Sequence, residues 1–169
     1  EKMNSQFLLE KLEESDEFKK FKKENPDAYL CSGFFVINLE DKNQGNKYHF
    51  DFYIPKSKKT FSFELEDGVK IVELERNDEK IMEKVSMKDH FDSDELKEKI
   101  LNEMASKNIT NKIQKMIFSL QNKDKKDVLF GTVFISGLGI LRVNVDLDGK
   151  KITDFEKKSF FDMMKIVKK

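Results

Sequence analysis

Apolar and polar residues alternate over two parts of the chain, as they do in half-buried β-strands. In the first part this alternation predicts strands over residues 30–39, 47–54, 60–65 and 69–74. In the second part it predicts strands over residues 114–121, 128–135, 140–146 and 151–153. Short polar segments with Asp, Asn and Gly separate most of these strands and are typical of hairpin connections. We therefore expect two antiparallel meanders.

Residues 114–121 also fit a second pattern. Helical spacing is shared by Ile113, Met116, Ile117 and Leu120, whereas Met116, Phe118 and Leu120 alternate as in a strand. Periodicity does not separate the two structures in so short a segment. Because the matching segment of the first half is a strand, we expect a strand here as well.

The alternation also predicts which side chains of the first meander face solvent. The expected inward residues of residues 47–54 are Tyr48, Phe50, Phe52 and Ile54. The expected outward residues of this strand and the next are His49, Asp51, Tyr53, Thr60, Ser62 and Glu64. One face of the sheet should therefore be apolar and buried, and the other polar.

Helical periodicity covers residues 4–24, with a break near Ser15, whose side chain is a suitable N-cap. Asn25-Pro26 ends this segment, because the residue before a proline avoids the helical region. Ser93 is expected to cap a second helix that reaches about Ser106.

The segments that remain are a connection and a C-terminal helix. Residues 76–92 are charged and irregular, and we interpret them as the connection between the two halves of the chain. Ser159 is expected to cap a last helix that runs from Phe160 to about Val167, with its apolar residues on one face.

Matching motifs at the ends of the two halves suggest an internal repeat. Ser-Asp-Glu and an apolar residue stand at residues 15–18 and again at residues 93–96. Asp-Gly, one residue, Lys and Ile stand at residues 67–71 and again at residues 148–152. The alternative is that two short α+β segments look alike by chance, because helix caps and Asp-Gly turns are common.

The repeat predicts an α+β fold of two tandem units, each a helix with an antiparallel sheet. The expected units are residues 1–85 and residues 86–169, and the second includes the C-terminal helix. A unit of this size buries a small share of its surface by itself. We therefore expect the two sheets and their helices to pack together as one body.

The second unit resembles PepSY-type domains, in which a helix precedes an antiparallel meander. The similarity is greatest over residues 93–152, above all in Leu141-Arg142-Val143-Asn144-Val145-Asp146-Leu147-Asp148-Gly149-Lys150. The first half matches in outline, ending in Phe63-Glu64-Leu65-Glu66-Asp67-Gly68. This resemblance implies duplicated PepSY/cystatin-like units that bind or inhibit peptidases without being enzymes. It supplies no site residue.

The amino-acid composition limits the classes of partner that the protein is expected to bind. The chain has 16 Phe but no Trp, so that phenylalanine should dominate the core. Lys and Arg together number 32 and are balanced by 32 Asp and Glu, which leaves no overall field to attract nucleic acid. Arginine, the residue best suited to phosphate contacts, occurs only at Arg76 and Arg142. We therefore expect no nucleic-acid partner.

Cysteine content and hydropathy bear on location. Cys31 is the single cysteine, so that no disulfide forms within the chain, which fits a reducing compartment. No apolar run approaches the roughly 20 residues that a membrane-spanning helix needs. We expect no membrane span and a cytoplasmic location, unless a signal or anchor has been removed.

Cys31 and His49 are the one pair that could supply a nucleophile and a base. If the first hairpin pairs residue 39 with residue 47, His49 lies opposite residue 37. Cys31 is then about 20 Å away along the strand, at ~3.3 Å per residue. That separation excludes a hydrogen bond, so we interpret Cys31 as a buried apolar residue.

Two acidic segments partly resemble metal sites. Asn144-x-Asp146-x-Asp148-Gly149 resembles half of an EF-hand loop, but Phe155 takes the position of the bidentate glutamate and a strand precedes it. Asp89-His90-Phe91-Asp92 with Asp94 lies where a helix begins, and carboxylates are expected there as caps. We therefore predict no metal, no cofactor and no catalytic residues.

These features favour a non-enzymatic module that binds an unknown protein or peptide. The contact would be made along an exposed sheet edge or in a groove between the halves. The alternative is a carrier for a small apolar ligand, with a phenylalanine-lined cavity between sheet and helix. The sequence does not predict the oligomeric state.

Overall fold

Three helices and eight strands form within the residues that the computed structural model describes, which are residues 2–76, 80–159, 161, 162 and 164. In chain order they are α1 (Ser5–Glu14), α2 (Asp16–Glu24), β1 (Tyr29–Asn38), β2 (Lys47–Ile54), β3 (Lys59–Glu64), β4 (Lys70–Leu74), α3 (Ser93–Ser106), β5 (Ile113–Lys123), β6 (Lys126–Ile135), β7 (Gly139–Asp146) and β8 (Lys151–Ser159). The strands form one antiparallel sheet in the order β4-β3-β2-β1-β5-β6-β7-β8. The fold is therefore α+β, as predicted.

The two meanders meet edge to edge. β1 pairs with β5 in antiparallel register, from Gly33 opposite Leu120 to Asn38 opposite Lys115. The prediction of two separate sheets is wrong, because the first strand of each meander completes the hydrogen bonding of the other. An edge strand carries a row of unpaired N–H and C=O groups, and the β1–β5 seam removes two such edges at once.

Phenylalanine rings fill the space between α2 and the sheet. The rings of Phe18 and Phe21 on α2 contact those of Phe52, Phe61 and Phe63 on β2 and β3. The centroids lie between 5.0 and 6.3 Å apart, and all five contacts are edge-to-face. Each such pair adds about 0.5–1.5 kcal/mol to the burial of its apolar surface.

The second half of the sheet is covered on the same face by α3. This helix buries the apolar stripe Leu96, Ile100 and Met104. Lys107 is the C-cap residue of this helix, and its Nζ lies 5.5 Å from the ring centroid of Phe155 on β8. The helices therefore share one hydrophobic core with the sheet. Phe35 and Phe118 belong to this core and lie on the face of the sheet that the helices cover.

The first helical segment breaks where predicted. α1 ends at Glu14 and α2 begins at Asp16. Between them, Ser15 Oγ accepts a hydrogen bond of 3.2 Å from the backbone N–H of Phe18. Ser15 is thus the N-cap of α2, as the sequence indicates.

The start of the chain pairs with the start of α3. Asn4 and Asp92 form an isolated antiparallel bridge. On one side of it, Ser5 N–H donates to the Phe91 carbonyl at 2.9 Å. Asn4 and Asp92 are also the N-caps of α1 and α3, so that two helices begin at this one bridge.

The N-cap of α3 differs from the predicted one by one residue. Asp92, rather than Ser93, is the N-cap, and its carboxylate accepts from the Glu95 N–H at 2.8 Å. Ser93 is the first helical residue, and its Oγ accepts from the Met3 N–H at 3.0 Å. The two Ser-Asp-Glu segments therefore occupy different positions in their helices, since Ser15 is a cap.

Three strands of the second half, β5, β6 and β8, are longer than predicted. Residues 114–121 are part of β5, which confirms the strand prediction for that segment. A two-residue turn at Asp124 and Lys125, with φ of 53° and 66°, extends β5 and β6 into the expected loop. β8 runs to Ser159 instead of residue 153, because it pairs along the whole of β7.

The predicted cap of the C-terminal helix is present. Ser159 Oγ accepts from the Asp162 N–H at 3.1 Å, and the Asp162 carboxylate accepts from the Ser159 N–H at 3.2 Å. This reciprocal pair is a capping box. Most of the helix expected from Phe160 to about Val167 lies outside the described residues.

The connection before α3 is fastened to the sheet by hydrogen bonds. Val85 N–H donates to the Leu30 carbonyl at 2.9 Å, at the beginning of β1. The Asp127 carboxylate accepts from Ser86 N–H at 3.0 Å, Ser86 Oγ at 2.8 Å and Met87 N–H at 2.9 Å. These bonds hold the connection over the ends of β1, β5 and β6.

Candidate functional site

A cleft of about 310 Å³ lies on the sheet face opposite α2, and we call it the polar cleft. Its walls include Cys31, Ser32, Phe34, His49 and Asp51 from β1 and β2, Ser119, Gln121 and Asn122 from β5, and Lys80, Met82 and Glu83 from the connection. The strand register brings these side chains together, since Ser32 is opposite Asp51 and Phe34 is opposite His49.

The carboxylate of Asp51 is buried in the wall of the cleft and bonds to two other side chains there. Asp51 is 6% exposed. Its Oδ2 accepts from Ser32 Oγ at 2.6 Å, and its Oδ1 lies 2.9 Å from His49 Nδ1. Because a carboxylate only accepts hydrogen bonds, Nδ1 carries a proton, and Nε2 is the ring nitrogen of His49 that remains for a ligand. The His49 ring stacks on that of Phe34, with centroids 5.2 Å apart.

Opposing effects act on the pKa of His49. Burial lowers this pKa, while the hydrogen bond to Asp51 and the charges of Asp51, Glu66 and Glu64 raise it. The second group of effects is larger in sum, so that the pKa lies above its ordinary value. The carboxylate of Asp51 therefore favours the protonated ring.

This shift predicts a pH dependence of stability. A histidine whose pKa is raised by folding stabilises the protein fully below its unfolded pKa of about 6.5, and the contribution is lost as the pH rises through the folded pKa. We expect His49→Gln to lower the free energy of unfolding more at about pH 5.5 than at about pH 8.5. Urea denaturation over a pH series measures the difference between wild type and variant. A difference that is constant with pH would contradict the assignment.

The predicted separation of Cys31 and His49 is wrong. The first hairpin pairs Val36 with Lys47, so that His49 lies opposite Phe34, three residues from Cys31 instead of six. The hairpin loop is longer than expected because polar bonds close it, among them Asn46 Oδ1 with the Asn38 N–H at 2.8 Å. Cys31 and His49 consequently line the same cleft.

Proximity alone does not make Cys31 a nucleophile. Its Sγ lies 3.4 Å from the Asp51 carbonyl oxygen. Burial, and then the charge of Asp51, raise the pKa of the thiol to about 12. The thiol is therefore protonated at neutral pH, which does not favour nucleophilic catalysis.

Four of the six side chains of the first meander that are expected to face solvent are buried instead, while His49 and Glu64 are half-buried. Asp51, Tyr53, Thr60 and Ser62 are between 1 and 6% exposed. The chain that follows β4 lies over part of this face, since Tyr29 Oη donates to the Met82 carbonyl. Alternation predicts the face of a side chain, but not whether a distant segment covers that face.

Two hydroxyls on this face are unpaired within the described part of the chain. Tyr53 and Thr60 are opposite each other on β2 and β3, and Tyr53 Oη and Thr60 Oγ1 are buried without a hydrogen-bond partner. A buried unpaired hydroxyl costs about 1–3 kcal/mol, because it loses its bonds to water.

Removal of the Tyr53 hydroxyl should therefore stabilise the protein. We expect Tyr53→Phe to raise the free energy of unfolding by about 1 kcal/mol. The matched control is Tyr29→Phe, which removes a hydroxyl that is bonded to the Met82 carbonyl and should lower it by about 1 kcal/mol. Chemical denaturation compares the two, and destabilisation by both variants would show that the Tyr53 hydroxyl is also bonded.

The acidic cluster before α3 is engaged in helix capping and ion pairs. His90 Nδ1 lies 3.2 Å from Ser5 Oγ. Lys2 Nζ lies 3.9 Å from the Asp92 carboxylate and 3.5 Å from that of Asp94. Over the described residues, no three His, Cys, Asp or Glu side chains are grouped so that they could hold a metal ion.

The segment that resembles half of an EF-hand is a turn between β7 and β8. Asp146 Oδ1 accepts from the Asp148 N–H at 3.0 Å. Asp146 Oδ2 lies 3.4 Å from Lys126 Nζ. Gly149 has φ of +80°, a conformation that suits glycine in a tight turn.

A second depression, which we call the β4 groove, has a volume of about 590 Å³ and lies between α2 and the outer strands. Its apolar residues are Phe21, Ile54, Phe61 and Ile71, and its charged residues are Glu17, Lys20, Glu24 and Lys59. β4 is the last strand in the sheet order, and no other strand in the described ranges pairs with its outer edge. Ile71 on this strand is 39% exposed.

Comparison with known proteins adds little to this geometry. No family model matches the chain, and no curated protein matches it. A solved structure described as a putative lipoprotein from Clostridium difficile 630 is similar, with 15% sequence identity over 85% of this chain and 91% of that chain and a TM-score of 0.49. The resemblance to PepSY-type domains stays a prediction.

Proposed function

We propose that this protein is a non-enzymatic binding module that takes up an extended segment of a partner protein along β4. The β4 groove supports this proposal, because it lies next to a sheet edge. An edge strand offers backbone N–H and C=O groups to an added strand, and pockets beside it accept alternate side chains.

The partner that suits this surface has apolar residues at every second position. Side chains of an added strand alternate between the two faces of the sheet, so that those on the α2 side enter the groove. There they contact Phe21, Phe61 and Ile71. Charges of both signs surround these residues, which favours a segment of mixed charge over a strongly acidic or basic one.

Two substitutions on β4 test the proposal. Ile71→Lys places a charge in the groove and is expected to weaken peptide binding about tenfold or more, because apolar contacts supply the affinity. Leu74→Lys is the matched control, since Leu74 is 37% exposed on the same strand and three residues away, on the opposite face. It should change the affinity by less than about twofold.

Peptides are first selected from a displayed library on the wild-type protein, and titration calorimetry then compares the variants. Failure to select any peptide would contradict the proposal, and so would equal loss of affinity in both variants. Thermal unfolding of each variant shows that it is folded.

The packing of the phenylalanine core supports a binding module over a carrier for apolar ligands. A carrier needs an enclosed apolar cavity. The rings of Phe18, Phe52 and Phe63 lie 5.0 to 5.5 Å from one another and occupy the space between α2 and the sheet.

We also propose that the chain is a duplicated unit of the PepSY kind, with residues 1–85 and 86–169 as its copies. Helices precede a four-stranded meander in both halves. Asp67-Gly68 and Asp148-Gly149 each join the third and fourth strands, and the glycines have φ of +74° and +80°. These equivalent turns support duplication.

The cytoplasmic location expected from the single cysteine stays a prediction. Among the helices in the described ranges, none combines the length and apolar character required to cross a lipid bilayer.

A further inference from the structure

The polar cleft has a buried carboxylate in its wall, that of Asp51, which is hydrogen-bonded to Ser32 and His49. Burying a polar group is unfavourable unless it is hydrogen-bonded, and an apolar side chain would avoid this cost. Asp51 lines the cleft from β2 and is 6% exposed. Buried ionisable groups in a cleft are typical of binding sites.

The charges around the cleft are balanced. Lys80 and Glu83 both line it, and neither side chain has a hydrogen bond or an ion pair within the described ranges. The charges of Asp51 and Arg76 both act on the Cys31 thiol, where that of Asp51 raises the pKa and that of Arg76 lowers it. A ligand that carries a single charge is therefore attracted by one of these side chains and repelled by the other, which leaves little net electrostatic attraction. A ligand with one positive and one negative group can pair each group with a side chain of opposite charge.

The remaining walls suit a small ligand with a polar or aromatic portion. Ser119 and Gln121 supply a hydroxyl and an amide, and His49 supplies Nε2. Phe34 and Met82 supply apolar surface. The volume of about 310 Å³ is at the lower end of the roughly 300–1,000 Å³ that is usual for ligand clefts.

We propose that the polar cleft binds a small zwitterion of the free amino acid class. The ligand's carboxylate lies at Lys80, its ammonium group at Glu83 and its side chain toward Phe34 and His49. This site lies on the opposite face of the sheet from the β4 groove and does not depend on peptide binding there.

Ligand-observed NMR with the wild-type protein tests the proposal. The panel consists of the free L-amino acids, their decarboxylated amines and their N-acetylated acids. At least one free amino acid is expected to bind at millimolar concentration, and derivatives that lack either charge should bind about tenfold more weakly. Absence of binding by every amino acid would overturn the proposal, as would equal binding of the derivatives.

Binding to variants of the cleft then tests where the amino acid lies. Ser119→Phe fills the cleft and should abolish binding, while Ser57→Phe, at the rim of the β4 groove, should leave it unchanged. Lys80→Ala and Glu83→Ala alter exposed side chains and should each weaken binding about tenfold. These two variants keep the test decisive if Ser119→Phe does not fold, and wild-type affinity in both would overturn the proposal.

Discussion

Truncation of Phe35 to alanine is expected to lower the free energy of unfolding by about 3–5 kcal/mol. Phe35 is 0% exposed and lies on β1, opposite Phe118 of β5, in the seam between the two meanders. Its ring makes edge-to-face contacts with Phe50 at 5.6 Å and Phe91 at 5.2 Å. Alanine would leave a cavity where the two meanders and the segment before α3 meet, and cavity formation adds to the lost burial.

Urea denaturation followed by circular dichroism measures this loss. The matched control is Phe7→Ala, because Phe7 is 70% exposed and its removal should change stability by less than about 0.5 kcal/mol. A similar small change for Phe35→Ala would show that the seam does not form the centre of the core. Amide hydrogen exchange in β1 and β5 should increase together in the variant, since both strands lose the same contacts.

The second large effect is expected at Gly131 on β6. A Cβ at this position would lie 2.7 Å from Phe118 Cε1 and 2.8 Å from the carbonyl oxygen of Val143. The phenyl ring is fully buried and the oxygen belongs to the backbone of β7, so that neither can move away without disturbing the sheet. We expect Gly131→Ala to cost about 1–3 kcal/mol, as overpacking of cores does.

Gly45 provides the control for this substitution. It lies in the first hairpin loop, and a Cβ there would have no neighbour within 4 Å. Gly45→Ala should therefore change the unfolding free energy by less than about 0.5 kcal/mol. Equal stability of both alanine variants would mean that Phe118 does not pack on the Gly131 backbone.

Local features of the sequence were sufficient for most of the elements. The alternation in residues 47–54 and 140–146 predicted β2 and β7 within a residue, because strand side chains alternate whatever the sheet order. The break at Ser15 was predicted because an N-cap acts on the helix that directly follows it.

The cap of α3 and the first hairpin register depend on contacts that local patterns do not contain. Asp92, Ser93 and Asp94 are all good N-cap residues, and the choice depended on the Met3 N–H, which lies 90 residues before Ser93 in the chain. The register depended on side chains of the loop, where Asn38 bonds to Asn46. Neither interaction leaves a periodic signal.

The polar cleft was missed for a related reason. The sequence correctly assigned His49 and Asp51 to the face opposite Phe50, but predicted that solvent covers them. Residues that come after β4 line the cleft together with them, among them Met82 and Glu83. The pairing of Cys31 with His49, which the predicted hairpin register argued against, was the signal that could have located the cleft.

Local patterns along the chain were enough to specify an α+β fold with two meanders of alternating strands and a core of phenylalanine. These properties follow from interactions between residues that are close along the chain. The pairing of β1 with β5 and the burial of most of one polar face became evident only from the folded protein. The strand pairing and the burial both depend on contacts between residues that are far apart in sequence. The backbone N–H and C=O groups of an edge strand can pair with any other strand, so that local sequence does not specify the partner.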